Sequence, residues 1–340
     1  MAQASDRAHH RAMRSLRAMS KPTSKPMAGQ DWAMLLGLAL VFGSAFFFVK
    51  LALASYGPLT VALLRVSLGA AILATVAAIR GRAWPRGRSV WLALLVMGAL
   101  NNAIPFGLIS WGQTHIESGL AAIFNATTPI FTVIAAHAAG QERLTPRRLA
   151  GVALGFLGVA VLIGPESLSH LDPANLAELA VLLAAISYAG AGIWGRRLRE
   201  LPIDVAAGGM LTGAALLLLP AALILERPWR VMPSSASLGA IAALGALSTA
   251  VAYLLYFRLL RRVGPTNLLL VTFLLPLVAL ALGAAFLGER IEPRDLAGLV
   301  LILGGLAAID GRMLAYLRMT RATSPGVAAT SGSPRDSHRS

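Results

Sequence analysis

The chain has 340 residues, 56% of them apolar and only 13% charged, against roughly 25% charged in soluble domains, so a soluble two-domain protein is excluded at the first step. Cysteine is absent, which removes disulfides, thiolate metal sites and cysteine nucleophiles from consideration. The net charge of +15 would suggest nucleic acid in a soluble protein, but the arginines collect in alternate linkers, a pattern of membrane orientation and not of nucleic-acid binding.

The apolar residues fall into about ten runs of roughly 18 to 25, each long enough to cross a hydrocarbon core of ~30 Å as a helix. None shows the dyad alternation of a membrane barrel. The predicted class is all-α: a polytopic membrane protein of ten transmembrane helices arranged as two inverted five-helix repeats.

Residues 1–31 read as a basic cytoplasmic tail, with Arg7, Arg11, Arg14, Arg17, Lys21 and Lys25 and the helix-interrupting Pro22 and Pro26. An organelle transit peptide or an overextended start are the alternatives. Spans are expected at about Trp32–Ala54, Pro58–Ile79, Val90–Trp111, Ser118–Ala139 and Leu149–Ile163 in a first repeat, 32–164. After an external linker, 165–175, a second repeat, 176–315, holds spans at about Leu176–Gly195, Val205–Leu225, Ser237–Phe257, Thr266–Leu287 and Leu296–Leu314. Residues 316–340, rich in Ser, Thr, Gly and Pro, read as a disordered cytoplasmic tail.

With the N-terminus inside, the linkers bearing Arg80, Arg82, Arg86 and Arg88, then Arg143, Arg147 and Arg148, then Arg196, Arg197 and Arg199, then Arg258, Arg261 and Arg262 all face the cytoplasm. Both termini are therefore expected inside, in a cell inner membrane.

Gly140-Gln-Glu142-Arg143-Leu-Thr-Pro146-Arg147-Arg-Leu149-Ala150-Gly151 recurs as Gly288-Glu289-Arg290 through Pro293, Arg294, Leu296, Ala297 and Gly298. At the Glu142/Glu289 offset of 147, Pro129 also coincides with Pro276. Five spans per copy is an odd number, so the second copy enters the membrane reversed. The linker is accordingly net +2 in the first copy and net −1 in the second.

With Phe42-Gly43-Ser44-Ala45-Phe46 and Lys50 in span one, Arg65 in span two, Gly119 to Pro129 in span four and the duplicated linker, residues 32–315 resemble the EamA-type members of the drug/metabolite transporter superfamily. Many relatives have Trp where this chain has Phe42. The resemblance implies a basket of helices around a central cavity, with spans five and ten peripheral. It also implies movement of amino acids or related small metabolites, often outward.

Several residues are candidates for that cavity. A proline inside a helix leaves the carbonyl four residues back without its donor, so Pro129 frees that of Asn125 and Pro276 that of Thr272. Symmetric breaks facing one midplane site are one reading, and packing kinks the other. Asn101 and Asn102 at the middle of span three need a partner or a cavity at that depth. Thr249, Tyr253 and Tyr256 form one stripe on span eight, with Tyr256 expected at the interface. Ser44 and Phe48 of span one and Thr128 of span four complete the cavity set. Lys50, Arg65 and Glu117 are expected to share an outer vestibule or gate, Arg65 pairing with Glu117 and Lys50 left free for an anionic group. His137 reads as structural. Glycine pairs Gly151/Gly155 and Gly209/Gly213 read as packing surfaces, with a monomer or weak homodimer expected.

No GxxxxGK(S/T) run is present, and no catalytic, metal or cofactor site is expected. The leading functional reading is a secondary transporter, exporter or facilitator, of small metabolites, in contact with membrane lipid. The alternative is a flippase for a lipid or lipid-linked carrier.

Overall fold

In the computed structural model, residues 27–141, 144–164 and 172–310 are described. The tails, Glu142, Arg143 and most of the 165–175 linker lie outside them. Ten long helices run through these residues: α1 Gly29–Leu53, α2 Pro58–Ile79, α3 Arg88–Gly112, α4 Ser118–Ala138, α5 Pro146–Ile163, α6 Pro173–Leu198, α7 Ile203–Leu225, α8 Ser235–Gly264, α9 Leu270–Leu287 and α10 Pro293–Asp310. Nine are long and apolar enough to cross a membrane. The described part of α10 includes Arg294, Asp295 and Asp310, and falls short of that apolarity.

The helix ends follow from local chemistry. Pro58, Pro146, Pro173 and Pro293 sit in the first turn, where a missing N–H costs nothing. Thr145, Asp172 and Ser234 accept from the amides of Arg148, Asn175 and Ser237, satisfying donors that the helix start leaves free. Gly140 and Gly288, matched in the linker repeat, both end a span with φ of +68°, a conformation an L side chain resists.

The packing recurs when α1–α5 are exchanged with α6–α10. Helix α2 packs along α7 and α5 along α10; α1 against α9 is matched by α6 against α4, and α3 against α7 by α8 against α2. Helices α5 and α10 chiefly contact one another, which places them at the periphery. Their crossing is built on glycine: a Cβ at Gly151 would lie 2.6 Å from the Gly305 carbonyl, and one at Gly158 would lie 2.9 Å from that of Gly298. Gly209 and Gly213 likewise admit Leu94 and Leu95 of α3, so both glycine pairs pack helices of the same chain.

Candidate functional site

Helices α3 and α8 each contain a π turn, over Ala99–Ala103 and Ala243–Val251. At the 147-residue offset, Gly98-Ala-Leu-Asn-Asn-Ala-Ile-Pro-Phe106 overlays Gly245-Ala-Leu-Ser-Thr-Ala-Val-Ala-Tyr253. Asn101 and Asn102 thus correspond to Ser248 and Thr249, and Phe106 to Tyr253. A π turn widens the helix by one residue and releases carbonyls from the usual ladder. In α3 the missing Pro105 N–H favours the opening, and the Ser187 hydroxyl of α6 donates to the Leu100 carbonyl at 2.7 Å. In α8 the Thr249 hydroxyl donates to the Leu244 carbonyl, five residues back, at 2.8 Å. The two glycines bring these turns close to the opposite half, Gly98 against the α7 backbone at Met210 and Ala214, and Gly245 against Leu68 of α2.

Arg65 of α2 meets these turns. Its Nε donates to Thr249 Oγ1 at 2.9 Å, its Nη2 donates to the Ser248 carbonyl at 3.3 Å, and its guanidinium carbon lies 3.8 Å from the Phe106 ring centre. Asn101 and Asn102 both donate through Nδ2 to the Tyr253 hydroxyl, at 2.8 and 3.0 Å. Tyr188 of α6 packs into the same apolar surround as Phe106 and Tyr253. The cluster is closed in this structure: Arg65 is 9% exposed, Thr249 1% and Asn102 not at all. Asn102 Oδ1 and Ser248 Oγ are buried with no hydrogen-bond partner among the described residues. Burying them unpaired costs free energy.

The remaining candidates separate from this cluster. Pro129 and Thr272 line a shared cleft with Leu269, Phe273, Leu306, Ile309 and Asp310, but at about 20 Å³ it admits a water and no solute. The expected symmetric breaks are not symmetric. Span four breaks at Ala126 and Thr127, where the Thr127 and Thr128 hydroxyls donate to the Phe124 and Asn125 carbonyls at 2.6 and 2.7 Å. Pro276 lies inside a continuous helix instead. Asn125 Oδ1 is buried with no hydrogen-bond partner among the described residues. Ser44 donates to the Val41 carbonyl of its own helix, and Phe48 stands edge-on to Phe47. The Tyr256 ring packs edge-on against Phe42 within an apolar cluster of α1, α8 and α9.

The vestibule expectation also changes. Arg65 does not pair with Glu117, since its polar contacts are with α8, and Glu117 accepts from the Arg290 amide at 3.3 Å. Nor is Lys50 free. Its ammonium donates to the Gln113 and Ile116 carbonyls at 2.6 and 2.8 Å, completing the end of α3, as a cation at a helix C-terminus does.

Two carboxylates absent from the sequence expectations dominate this arginine-poor end. Glu226, just past α7, accepts from the Leu59 and Thr60 amides at 2.9 and 2.7 Å and from the Thr60 hydroxyl at 2.6 Å. Glu289, just past α9, accepts from the Ser118 amide and hydroxyl at 2.7 and 2.8 Å and from the Gly119 amide at 3.1 Å. Each is a second-half carboxylate seated on the N-terminus of a first-half helix, where unpaired amides and the helix dipole favour an anion. Ser55, in the turn after α1, and Ser237 of α8 add a hydroxyl contact of 2.9 Å. Glutamates just after apolar runs and facing Pro58-Leu-Thr60 or Ser118-Gly119 were the available signal. At the arginine-rich end, Asp204 meets Arg80 at 3.2 Å and Asp31 meets Arg262 at 2.7 Å, again across the halves.

The profile of the EamA-like transporter family matches residues 32–164 and again 175–309. This chain belongs to the EamA-like transporter family. Among its relatives, the uncharacterized inner membrane transporter YedA of Escherichia coli K12 is 27% identical over 262 residues, covering 76% of this chain and 83% of the relative. A probable amino-acid metabolite efflux pump of Salmonella typhimurium is 30% identical over 293 residues, covering 82% and 94%. A probable terminal-alkyne amino-acid exporter of Streptantibioticus cattleyicolor is 28% identical over 300 residues, covering 87% and 97%. A solved crystal structure with 18% identity shares the fold, with a TM-score of 0.61 over 84% of this chain and 99% of that one. The chain is a multi-pass membrane transporter for small molecules, and not an enzyme.

Proposed function

We propose that this EamA-like transporter exports or equilibrates amino acids or related small metabolites across a cell inner membrane, with both termini in the cytoplasm. Its two halves alternately expose the Arg65 cluster to either side. The observation that carries the reading is that the cluster joins α2 and α3 of the first half to α8 of the second, with unpaired polar atoms at symmetry-matched π turns. Names of two relatives as amino-acid exporters support the substrate class. The latches of Glu226 and Glu289 are second-half groups on first-half helices, so rocking the halves must release them.

The flippase alternative calls for a groove open to lipid. A groove of about 360 Å³ does open between α3 and α7, lined by Arg86, Arg88, Trp91, Leu92, Leu95, Gly213 and Leu216. None of the residues of the Arg65 cluster lines it, so the small-solute reading is favoured.

Counterflow of radiolabelled amino acids into proteoliposomes tests the proposal. Exchange above that of protein-free vesicles supports it, and a protein that exchanges no amino acid yet scrambles labelled lipid favours the flippase. Orientation is checked with single cysteines at Ser89 and Ser235, which introduce the only thiols in the chain. An impermeant reagent added outside cells reacts at position 235 and not at 89; the reverse pattern inverts the topology.

A further inference from the structure

Arg65 is a buried cation whose charge no carboxylate neutralises: among the described residues none lies within ion-pairing distance of it. Its only hydrogen bonds there are the Thr249 hydroxyl and the Ser248 carbonyl. A guanidinium has five N–H donors in one plane, so two bonds leave most of its fork uncommitted. Phe106 covers one face of the plane, which directs a further ligand to the edge. Isolated charge at this depth is unfavourable, and a planar anion with two acceptor oxygens is the group that satisfies a guanidinium edge best.

The surround adds polar groups without adding negative charge. The Tyr253 hydroxyl accepts from both asparagines and keeps its own proton to donate, while Ser248 Oγ and Asn102 Oδ1 are unpaired. Hydroxyl donors beside the guanidinium suit oxygen acceptors, and Asn102 Oδ1 suits a neutral or charged N–H of the same solute. A solute carrying only an ammonium would meet the Arg65 charge with no carboxylate to balance it.

We propose that Arg65 is the anion-binding residue of this carrier and that the solute it takes is a small carboxylate, held at the free edge of the guanidinium. The carboxylate is the obligatory group, and an amino group on the same solute is secondary. The inference deepens the transport reading and rests on it for the motion that opens the cluster.

The test is binding to purified protein in detergent, read by calorimetry or thermal shift, with four probes: phenylalanine, phenylacetate, phenylalanine methyl ester and phenethylamine. Phenylalanine and phenylacetate bind the wild type, whereas the ester and the amine bind about 10- to 100-fold more weakly, as expected for loss of a charge-assisted pair. In Arg65→Gln the acid-to-ester ratio falls to about one. Arg65→Lys keeps the preference with weaker binding, and Thr249→Val, which removes only a neighbour of the guanidinium, keeps the ratio. If Arg65→Gln is not monodisperse, Arg65→Lys decides the matter, because its lost fork geometry weakens binding of the two acids and leaves that of the ester and the amine unchanged. Equal binding of acid and ester by wild type, an unchanged ratio in Arg65→Gln, acid binding as tight in Arg65→Lys as in wild type, or no binding of either acid at millimolar concentration overturns the proposal. Uptake of phenylalanine into proteoliposomes is measured separately. Arg65-dependent binding without uptake contradicts the carrier reading alone, whereas uptake with no preference for the carboxylate contradicts this inference alone.

Discussion

Spans three and eight keep the same irregularity in both halves, whereas spans four and nine share a proline and lose the irregularity in one. In the first pair the glycine, the two central polar residues and the π turn recur together, Asn101 and Asn102 against Ser248 and Thr249, and both turns reach the Arg65 cluster. In the second pair Pro129 and Pro276 occupy equivalent places, but only span four opens. The difference is in the neighbours. Thr127 and Thr128 supply hydroxyls to the carbonyls of Phe124 and Asn125, and the residues at the matching places in span nine are Leu274 and Leu275, which have no donor to offer. A proline removes a donor, but a break becomes stable in an apolar setting only where side chains replace that donor.

The glycines give the strongest way to break this correspondence. A Cβ on Gly98 would meet the backbone of α7, including the Ala214 nitrogen at 2.8 Å, and no side chain can move aside. Gly98→Ala is expected to destabilise by about 3 kcal/mol or more, seen as lost monodispersity or a large fall in melting temperature. At Gly245 the obstacle is the Leu68 side chain, 2.6 Å away at its Cβ. Gly245→Ala is expected to cost about 1–3 kcal/mol, and Leu68→Ala to relieve only the part due to Cγ and Cδ2, 2.8 and 2.7 Å away, since it keeps the Cβ. Rescue of Gly98→Ala by trimming α7 side chains would show the approach to be less close than described.

The latches come next in size. Glu226→Gln and Glu289→Gln each weaken charge-assisted bonds to helix N-termini, by about 1–3 kcal/mol, and unequal exposure of the two ends to an impermeant label reads the release. Equal labelling of wild type and both variants would leave the carboxylates without a gating part.

Smaller again is the effect at span four. Thr127→Val with Thr128→Val removes both donors and is expected to cost about 2 kcal/mol, more than Pro129→Ala alone. A melting temperature lowered more by Pro129→Ala would return the break to the proline.

The smallest effect is at Glu117. Burial pushes its carboxyl up from the ordinary value, with the charges of Glu289 and Asp295 adding to the rise and the Arg290 amide opposing it. The folded state then holds the proton more tightly than the unfolded chain, so this contribution to stability is present at acid pH. It is lost as pH rises from the ordinary glutamate value of about 4.3 through the raised one. Being partly solvated, it is expected to stay under about 1 kcal/mol, and Glu117→Gln should flatten the dependence in melts across that range.

How much of this was legible in the sequence depended on range. Apolar length, the Gly140–Gly151 repeat and the odd span count all lie along the chain, and they place most helices to within a few residues and the reversed pairing with them, but α8 runs past the expected Phe257 to Gly264 and carries Arg258, Arg261 and Arg262 within the helix instead of a linker. Asn101, Asn102, Thr249, Tyr253 and Arg65 stood out because polar groups are costly at that depth. What they touch did not follow from depth: Arg65 and Glu117 were matched by level, yet Arg65 turns to α8 and the Lys50 ammonium to the end of α3. Glu226 and Glu289 looked like ordinary linker charges, because a carboxylate on a distant helix start leaves no local pattern. The Gly98–Phe106 and Gly245–Tyr253 match was readable at the same 147-residue offset, hidden only because Asn-Asn and Ser-Thr share polarity and not identity.

Alternate exposure of the Arg65 cluster is tested most directly by a single thiol placed beside it. Asn101→Cys, in proteoliposomes, is treated with an impermeant thiol reagent from either side, with and without Ser55→Cys/Ser237→Cys, whose parent hydroxyls stand 2.9 Å apart and suit a disulfide across the halves. The account predicts that position 101 reacts from both sides, and that oxidising the 55–237 pair abolishes reaction from outside, leaves it from inside, and stops transport until reductant is added. Undiminished reaction from outside with the pair oxidised, or reaction from neither side in a protein that transports, would contradict it.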